Sequence, residues 1–365
     1  MTVLYRGQLE LERSRIVFIL ASLADEFDAI DFVHLSPGVG SGADDLREFV
    51  VGLAHIRTVS FVPAGARGLV AARRRVRELL ASDARTVVAI GFSIWPIVVG
   101  MRCRAWFIHG IPEERLLTSS SLRDRLAVRA SWWGAHRVSA DIHVVVSVAM
   151  SRLVEKRLRP ERTLVVPNAV DRMTYRETSN SPPTRLTYQG GGSPWQGIDR
   201  LSEVWTAIHD LDPSVRFRVI SRDPRTAVLT RGLPGDVVEH VSASDAEGVA
   251  ALLGEARLGF LFRATNLVNA VSWPMKLGEY VSAGVPVVVT DCGWDIASFV
   301  VEHKAGLVVR WEDSPETTAR ALLAYLDSIG LRPVEGTRHA ADALAATRWR
   351  SVLGQALVTD GRTES

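Results

Sequence analysis

A chain of 365 residues, 47% hydrophobic and 23% charged, is long enough for two domains with separate cores. A formal net charge of +2 excludes a global drive toward nucleic acid. Two cysteines, Cys103 and Cys292, lie far apart, which excludes a disulfide framework and a cysteine metal cluster and fits a reducing, cytoplasmic compartment.

In chain order, the N-terminal stretch 2–5 reads as a first strand rather than a basic-then-apolar signal peptide. Further strands are expected at 30–35, 58–62, 86–90, 105–108 and 143–146. A later set follows at 163–166, 185–188, 215–220, 237–241, 258–262, 285–289 and 306–309. Helical patterns fall between them, at 13–26, 70–82, 123–136 and 148–157. The longest apolar run, 87–100, is broken by Gly91 and Pro96; it is too short for a membrane span and reads as a buried strand plus helix. Alternation of this kind predicts an α/β protein with doubly wound parallel sheets. The stretch 171–184 is polar, contains Pro182 and Pro183, and has no periodicity, so it reads as a hinge. It separates a first domain, 1–170, from a second, 185–340. The stretch 341–358 is helical in pattern, and the tail from Asp360 is expected to fray.

Several segments carry chemistry. Arg6 and Gly7 follow the first strand, and Gly91, Phe92 and Ser93 follow another. Trp106 to Glu114 is a strand that delivers His109 to a loop at its carboxyl end, where such sheets bind ligands. A buried, satisfied histidine is the alternative there. Arg67, Arg73, Arg74, Arg75 and Arg77 share a helix with Val70 and Val76. Arg123, Arg125, Arg129 and Arg137 flank Trp132 and Trp133. Basic helices with interfacial aromatics can sit on an anionic membrane, and a solvated face is the alternative. Pro167-Asn168-Ala169-Val170-Asp171 ends a strand and reads as a turn. Tyr188 to Asp199 runs from a strand through Gly190, Gly191 and Gly192 toward a helix. Backbone amides there can form an anion-binding nest, with Gln196 as a neutral donor and Arg263, after a later strand, as a nearby cation.

The most informative stretch is Ser272-Trp273-Pro274-Met275-Lys276-Leu277-Gly278-Glu279-Tyr280. Pro274 suits the first turn of a helix, and Leu277, Tyr280 and Val281 fall on one face. Gly284 and Pro286 stop that helix, and 287–289 is an all-apolar strand. The helix N-terminus with Lys276 suits a phosphate, and Glu279 one turn on suits a vicinal diol. No acidic metal clamp, His/Cys metal spacing, Walker loop or nucleophile elbow is present in the sequence.

This stretch, with 283–290 after it, resembles the nucleotide-sugar signature of retaining glycosyltransferases of the GT-B fold, in particular family 4, which reads Pro-x-Lys-Leu-x-Glu-Tyr and then Gly-x-Pro-Val. The resemblance implies two Rossmann-like domains facing a cleft, with the last helix, in 341–365, crossing back to the first domain. It implies a nucleoside-diphosphate sugar as donor substrate, no cofactor, no metal, and a glycan, lipid-linked or small-molecule acceptor. It also implies a cytoplasmic enzyme, with possible peripheral attachment to the inner face of the cell membrane. Donor binding would fall to Gly190, Gly191, Gly192, Gln196, Arg263, Ser272, Trp273, Pro274, Met275, Lys276, Leu277 and Glu279, with His109 and Glu279 catalytic. The chain departs from the family where the first of two glutamates is expected, at Val271, and where a lysine is expected, at Gln196. Two rival readings are a nucleotide-sugar binding protein without transfer activity and an epimerase of the same fold.

Overall fold

A computed structural model describes residues 1–6, 9–24, 27, 30–36, 56–63, 66–82, 86–175, 183–293, 295–330 and 334–358. Gly7, the hinge residues 176–182, the side chains of Arg67 and Arg75, and the tail from Asp360 lie outside the described residues. Two compact units emerge: the first comprises 1–167 with 347–365, the second 168–346.

The first unit is built on a seven-stranded parallel sheet. Its strands are β1 (Thr2–Arg6), β2 (Ile30–Ser36), β3 (Ile56–Pro63), β4 (Val87–Ile90), β5 (Arg102–Ile108), β6 (Ser139–Val145) and β7 (Thr163–Val165), in the order β3-β2-β1-β4-β5-β6-β7. Helices α1 (Leu9–Ala24), α2 (Ala66–Ser82), α3 (Trp95–Val98), α4 (Leu122–Ala135) and α5 (Val148–Leu158) supply the crossovers. The strand order reverses between β1 and β4. In a doubly wound sheet that point opens a crevice at the strands' carboxyl ends.

The second unit repeats the plan with six parallel strands, β8 (Arg185–Gln189), β9 (Arg216–Ile220), β10 (Val238–Val241), β11 (Ala256–Leu261), β12 (Val287–Asp291) and β13 (Gly306–Arg310), in the order β10-β9-β8-β11-β12-β13. Here the reversal lies between β8 and β11. Val287, Val288 and Val289 are completely buried, as a strand covered on both faces requires. In α6 (Ile198–Leu211), Ile198, Leu201, Trp205 and Ile208 recur at helical spacing and are all buried. Trp205 stacks on Phe217 with centroids 4.6 Å apart and meets Phe260 edge-on. Each such side chain contributes about 1.5–3 kcal/mol by leaving water. The remaining helices are α7 (Ala246–Leu253), α8 (Leu267–Val271), α9 (Met275–Ser282), α10 (Asp295–Glu302), α11 (Pro315–Ile329), α12 (Glu335–Ala343) and α13 (Ala346–Val358).

The structure changes two local expectations. The single helix expected over 341–358 is two, α12 and α13. Between them Val170 donates to the Leu344 carbonyl (3.1 Å) and accepts from the Ala346 amide (3.1 Å). A pairing 174 residues away in sequence therefore breaks a stretch that carries no local stop signal. Pro274 is extended (φ −71°, ψ 139°) and immediately precedes α9 rather than lying inside it. At the other end Gly284 has φ 76°, the left-handed turn expected of a helix stop.

Candidate active site

The signature helix α9 is fastened to the carboxyl end of β8. Leu277, Tyr280 and Val281 point into the core. The Tyr280 hydroxyl donates to the Thr187 carbonyl (3.2 Å) and accepts from the Gln189 amide (2.8 Å). Lys276 and Glu279, three residues apart, therefore share one helix face beside the switch point of the second sheet.

Lys276 is half-buried, and its hydrogen-bond partners are neutral oxygens. Its ammonium donates to Gln196 Oε1 (2.9 Å) and to the Tyr188 hydroxyl (3.5 Å), and lies 4.8 Å from the Tyr188 ring centroid. Burial, reinforced by the positive charge of Arg263, pulls its pKa down to about 7, with Glu279 opposing. Gly190 makes room for this arrangement: at φ 121° it adopts a backbone that side chains avoid, and a Cβ there would collide with the Lys276 ammonium.

Arg263 follows the end of β11. Its amide donates to Thr290 Oγ1 (2.7 Å), and its guanidinium donates to Asn269 Oδ1 (3.1 Å). Asn269 is fully buried and also donates to the carbonyls of Ala264 (2.8 Å) and Trp195 (3.3 Å). The cation expected from its place after a strand is thus held beside Lys276 by residues that no motif singled out.

Glu279 is 8% exposed. Its Oε2 accepts from Gln189 Nε2 (2.7 Å) and its Oε1 from the Tyr175 hydroxyl (3.2 Å). Burial raises its pKa, while those two bonds and the Lys276 charge act the other way. A carboxylate able to accept from hydroxyls and two cations able to bind phosphate oxygens thus meet at one sheet edge.

The remaining expected donor residues divide by environment. The Gly190 amide donates to the Ile220 carbonyl (3.0 Å) and the Gly192 amide to Asp223 Oδ2 (2.8 Å). Two amides expected to cradle an anion are therefore bonded within the protein, and Gly191 lies between them. Asp223, also paired with Arg225 at 2.6 Å, fixes this turn. Ser272 donates through its hydroxyl to the Asn269 carbonyl (3.0 Å). The Trp273 ring packs edge-on against Phe299, and its carbonyl accepts from Asn168. Leu277 is fully buried, Val271 is 3% exposed, and Met275 is half-buried. Asn168, expected in a turn, thereby holds the approach to α9.

In the first unit, His109 directly follows β5. Both its ring nitrogens are buried and without a hydrogen-bond partner among the described residues. Burial, and secondarily Arg15, holds its pKa well below the ordinary histidine value, so the ring is neutral. At the β1/β4 switch point Arg6 donates to the Ser93 carbonyl (3.1 Å), and Ser93 returns its hydroxyl to the Arg6 carbonyl (2.9 Å). Glu113 accepts from Trp132 Nε1 (2.9 Å), which ties the loop after His109 to α4.

Two doubly wound parallel units of this topology define the GT-B class of glycosyltransferase fold. The chain has that fold along its whole length. Its structure is similar to sucrose-phosphate synthase from Thermosynechococcus elongatus (TM-score 0.72, 14% identity, 100% of this chain and 99% of that one). It is likewise similar to WaaG, a glycosyltransferase involved in lipopolysaccharide biosynthesis (TM-score 0.70, 17% identity, 98% and 100% coverage). A glycosyltransferase from Rickettsia africae ESF-5 has TM-score 0.66, 11% identity, and 100% and 98% coverage. No curated protein is similar enough in sequence to count as a relative. Residues 183–328, most of the second unit, match the model of the glycosyl transferases group 1.

Proposed function

We propose that the protein is a retaining glycosyltransferase that takes a sugar from a nucleoside-diphosphate donor and passes it to a glycan, lipid-linked or small-molecule acceptor without a divalent metal. The observation that carries this reading is the convergence of Lys276, Arg263 and Glu279 at the β8/β11 switch point. Lys276 and Arg263 supply the charge that stabilises the departing diphosphate, and the N-terminus of α9 adds its partial positive charge. Glu279 holds the ribose. The transition state is oxocarbenium-like. A donor phosphate oxygen takes the acceptor's proton on the face where the diphosphate leaves, which keeps the anomeric configuration. Neutral His109, at the ligand edge of the first sheet, is assigned to turnover rather than to nucleotide binding.

The first experiment is a thermal-shift screen against UDP, GDP, dTDP and their sugars, since a ligand of the folded state raises the melting temperature with concentration. Turnover of the donor that binds separates the enzyme from a binding protein without activity. We expect transfer to persist in EDTA, NMR of early product to show retained anomeric configuration, and His109→Ala to lower turnover more than nucleotide affinity. An inverted product, or activity abolished by EDTA and restored by magnesium, would refute this reading of the chemistry.

The same reading includes an acceptor presented at an anionic membrane. On α4, Leu122, Leu126 and Trp133 lie on one helical stripe and are 72%, 54% and 64% exposed. Arg123, Arg125 and Arg129 are exposed on the same helix, and the Arg137 guanidinium lies 3.4 Å from the Trp133 ring centroid. Between 102 and 162 the sequence has twelve Lys or Arg against six Asp or Glu, a local excess larger than that of the whole chain. Arg73, expected with this basic surface, instead donates to the carbonyls of Pro96 and Val99 and ties α2 to α3. No helix among the described residues is long and apolar enough to cross a membrane. Surface attachment through α4 would gain about 1 kcal/mol per basic residue near anionic lipid. The protein should sediment with vesicles containing phosphatidylglycerol, release in high salt, and ignore pure phosphatidylcholine. Trp133→Ser with Arg129→Ser should abolish sedimentation and leave nucleotide binding intact. Equal sedimentation of this variant and the parent would remove α4 as the contact.

A further inference from the structure

Glu279 reaches the edge of the candidate site already engaged. An ionised carboxylate offers about four acceptor positions. Tyr175 and Gln189 fill one on each oxygen. Two positions are left, the number that a vicinal diol requires. Gln189 comes from the last residue of β8, so its place is set by the sheet. Tyr175 comes from the stretch that opens the second unit, and that stretch is fixed to α9 along its length. Asn168 donates to the Trp273 carbonyl at the head of the helix. Val170 packs so closely on Gly278 that a Cβ there would collide with it. Asp171 then folds a local turn, accepting from the Met173 amide (3.1 Å) and the Thr174 hydroxyl (2.8 Å), which delivers Tyr175 to Glu279.

We infer that Tyr175 and Gln189 are positioning residues for the donor ribose, clamping the Glu279 carboxylate so that its remaining acceptor positions serve the 2′- and 3′-hydroxyls. This rests on the reading that Glu279 holds the ribose. The Tyr175 hydroxyl is buried, and burial together with the Glu279 charge raises its pKa, so it remains a donor throughout the working pH range. A tyrosine donor also fixes a direction: its oxygen rides on a ring that is itself buried, 7% exposed, and turns only with the stretch that carries it.

The test is calorimetry with UDP, GDP and ADP, each against its 2′-deoxy form. Wild type should prefer the ribonucleotide by about tenfold, the worth of a hydrogen bond to a charged group. Tyr175→Phe keeps the ring and removes only the hydroxyl. It should bring that preference down to about twofold, leave pyrophosphate binding unchanged, and leave the melting temperature of the free protein near that of wild type. Gln189→Leu should do the same by removing the other bond. Added to Glu279→Gln, Tyr175→Phe should cost nothing more, because the two residues act through one carboxylate. If wild type discriminates and Tyr175→Phe discriminates equally, the clamp is wrong while the ribose assignment stands. If wild type binds ribo and deoxy forms equally, Glu279 does not hold the diol, and the ribose assignment falls together with the clamp.

Discussion

Replacing Lys276 with methionine is expected to weaken nucleoside diphosphate binding by about thirtyfold, and nucleoside binding by less than about threefold. The first figure follows from the strength of a hydrogen bond between charged partners, roughly 1.5–3 kcal/mol. The split follows from geometry, because the Lys276 ammonium lies among Gln196, Tyr188 and Arg263, where phosphate oxygens and not a base would bring negative charge. Lys276 also gives the binding a pH signature. Its pKa in the empty site is about 7. A bound diphosphate stabilises the ammonium and raises that value, so binding takes up a proton above pH 7. Lysine protonation therefore leaves affinity level below pH 7 and lowers it as pH rises above 7, by up to about tenfold per unit until the bound-state pKa is reached. Calorimetry in buffers of different ionisation enthalpy at pH 8 reads the uptake directly. No proton uptake, or an equal loss of nucleoside and diphosphate affinity in the methionine variant, would take Lys276 out of the phosphate site.

Glu279→Gln is expected to weaken nucleoside and nucleoside diphosphate binding alike, by about tenfold or more, and to leave the fold intact. The amide keeps the volume but loses the charge that makes each hydroxyl bond strong. Because the carboxylate is nearly buried and Gln189 donates an N–H to it, the variant also sets one amide against another; turning its own carbonyl toward Gln189 preserves that bond. Calorimetry with nucleoside and diphosphate, beside thermal unfolding of the free variant, checks both parts. Unchanged affinity for both ligands would place the ribose elsewhere.

The strands and most helices were legible because they rest on local periodicity: all-apolar runs such as 287–289, and helices such as α6 with apolar residues at helical spacing. The signature helix was legible for a related reason. Lys276 and Glu279 are close in sequence and are read together with the proline before them. Gln189, Asn269, Asp223 and Tyr175 left no such trace. Tyr175 and Glu279 are 104 positions apart, and Asp223 meets Gly192 from 31 positions away. A lone polar residue predicts nothing until its partner is brought to it. The surroundings of the glycine turn were hidden for the same reason. Three glycines suggest free amides, but the Gly192 amide is taken by Asp223 and the Gly190 amide by the Ile220 carbonyl, partners that only the fold supplies. Likewise, the helix break between α12 and α13 is imposed by Val170, with neither Gly nor Pro at 344–345 to announce it.

The pairing of Val170 with Leu344 and Ala346 bears on the order in which the chain can finish folding. The second unit starts and stops at this one place, so it is threaded into the first as a closed insert. Domains with adjacent ends tolerate such insertion well. The first unit gains α13 only from residues beyond the insert, and there the Leu357 carbonyl accepts from Arg104 on β5 (3.0 Å). As the chain leaves the ribosome, the unit translated first is thus the last to be completed. Its sheet is translated early, yet Arg104 on β5 waits 253 positions for its partner at Leu357. Nascent chains usually mature from the N-terminus onward; here the whole insert is synthesised before the last segment of its host.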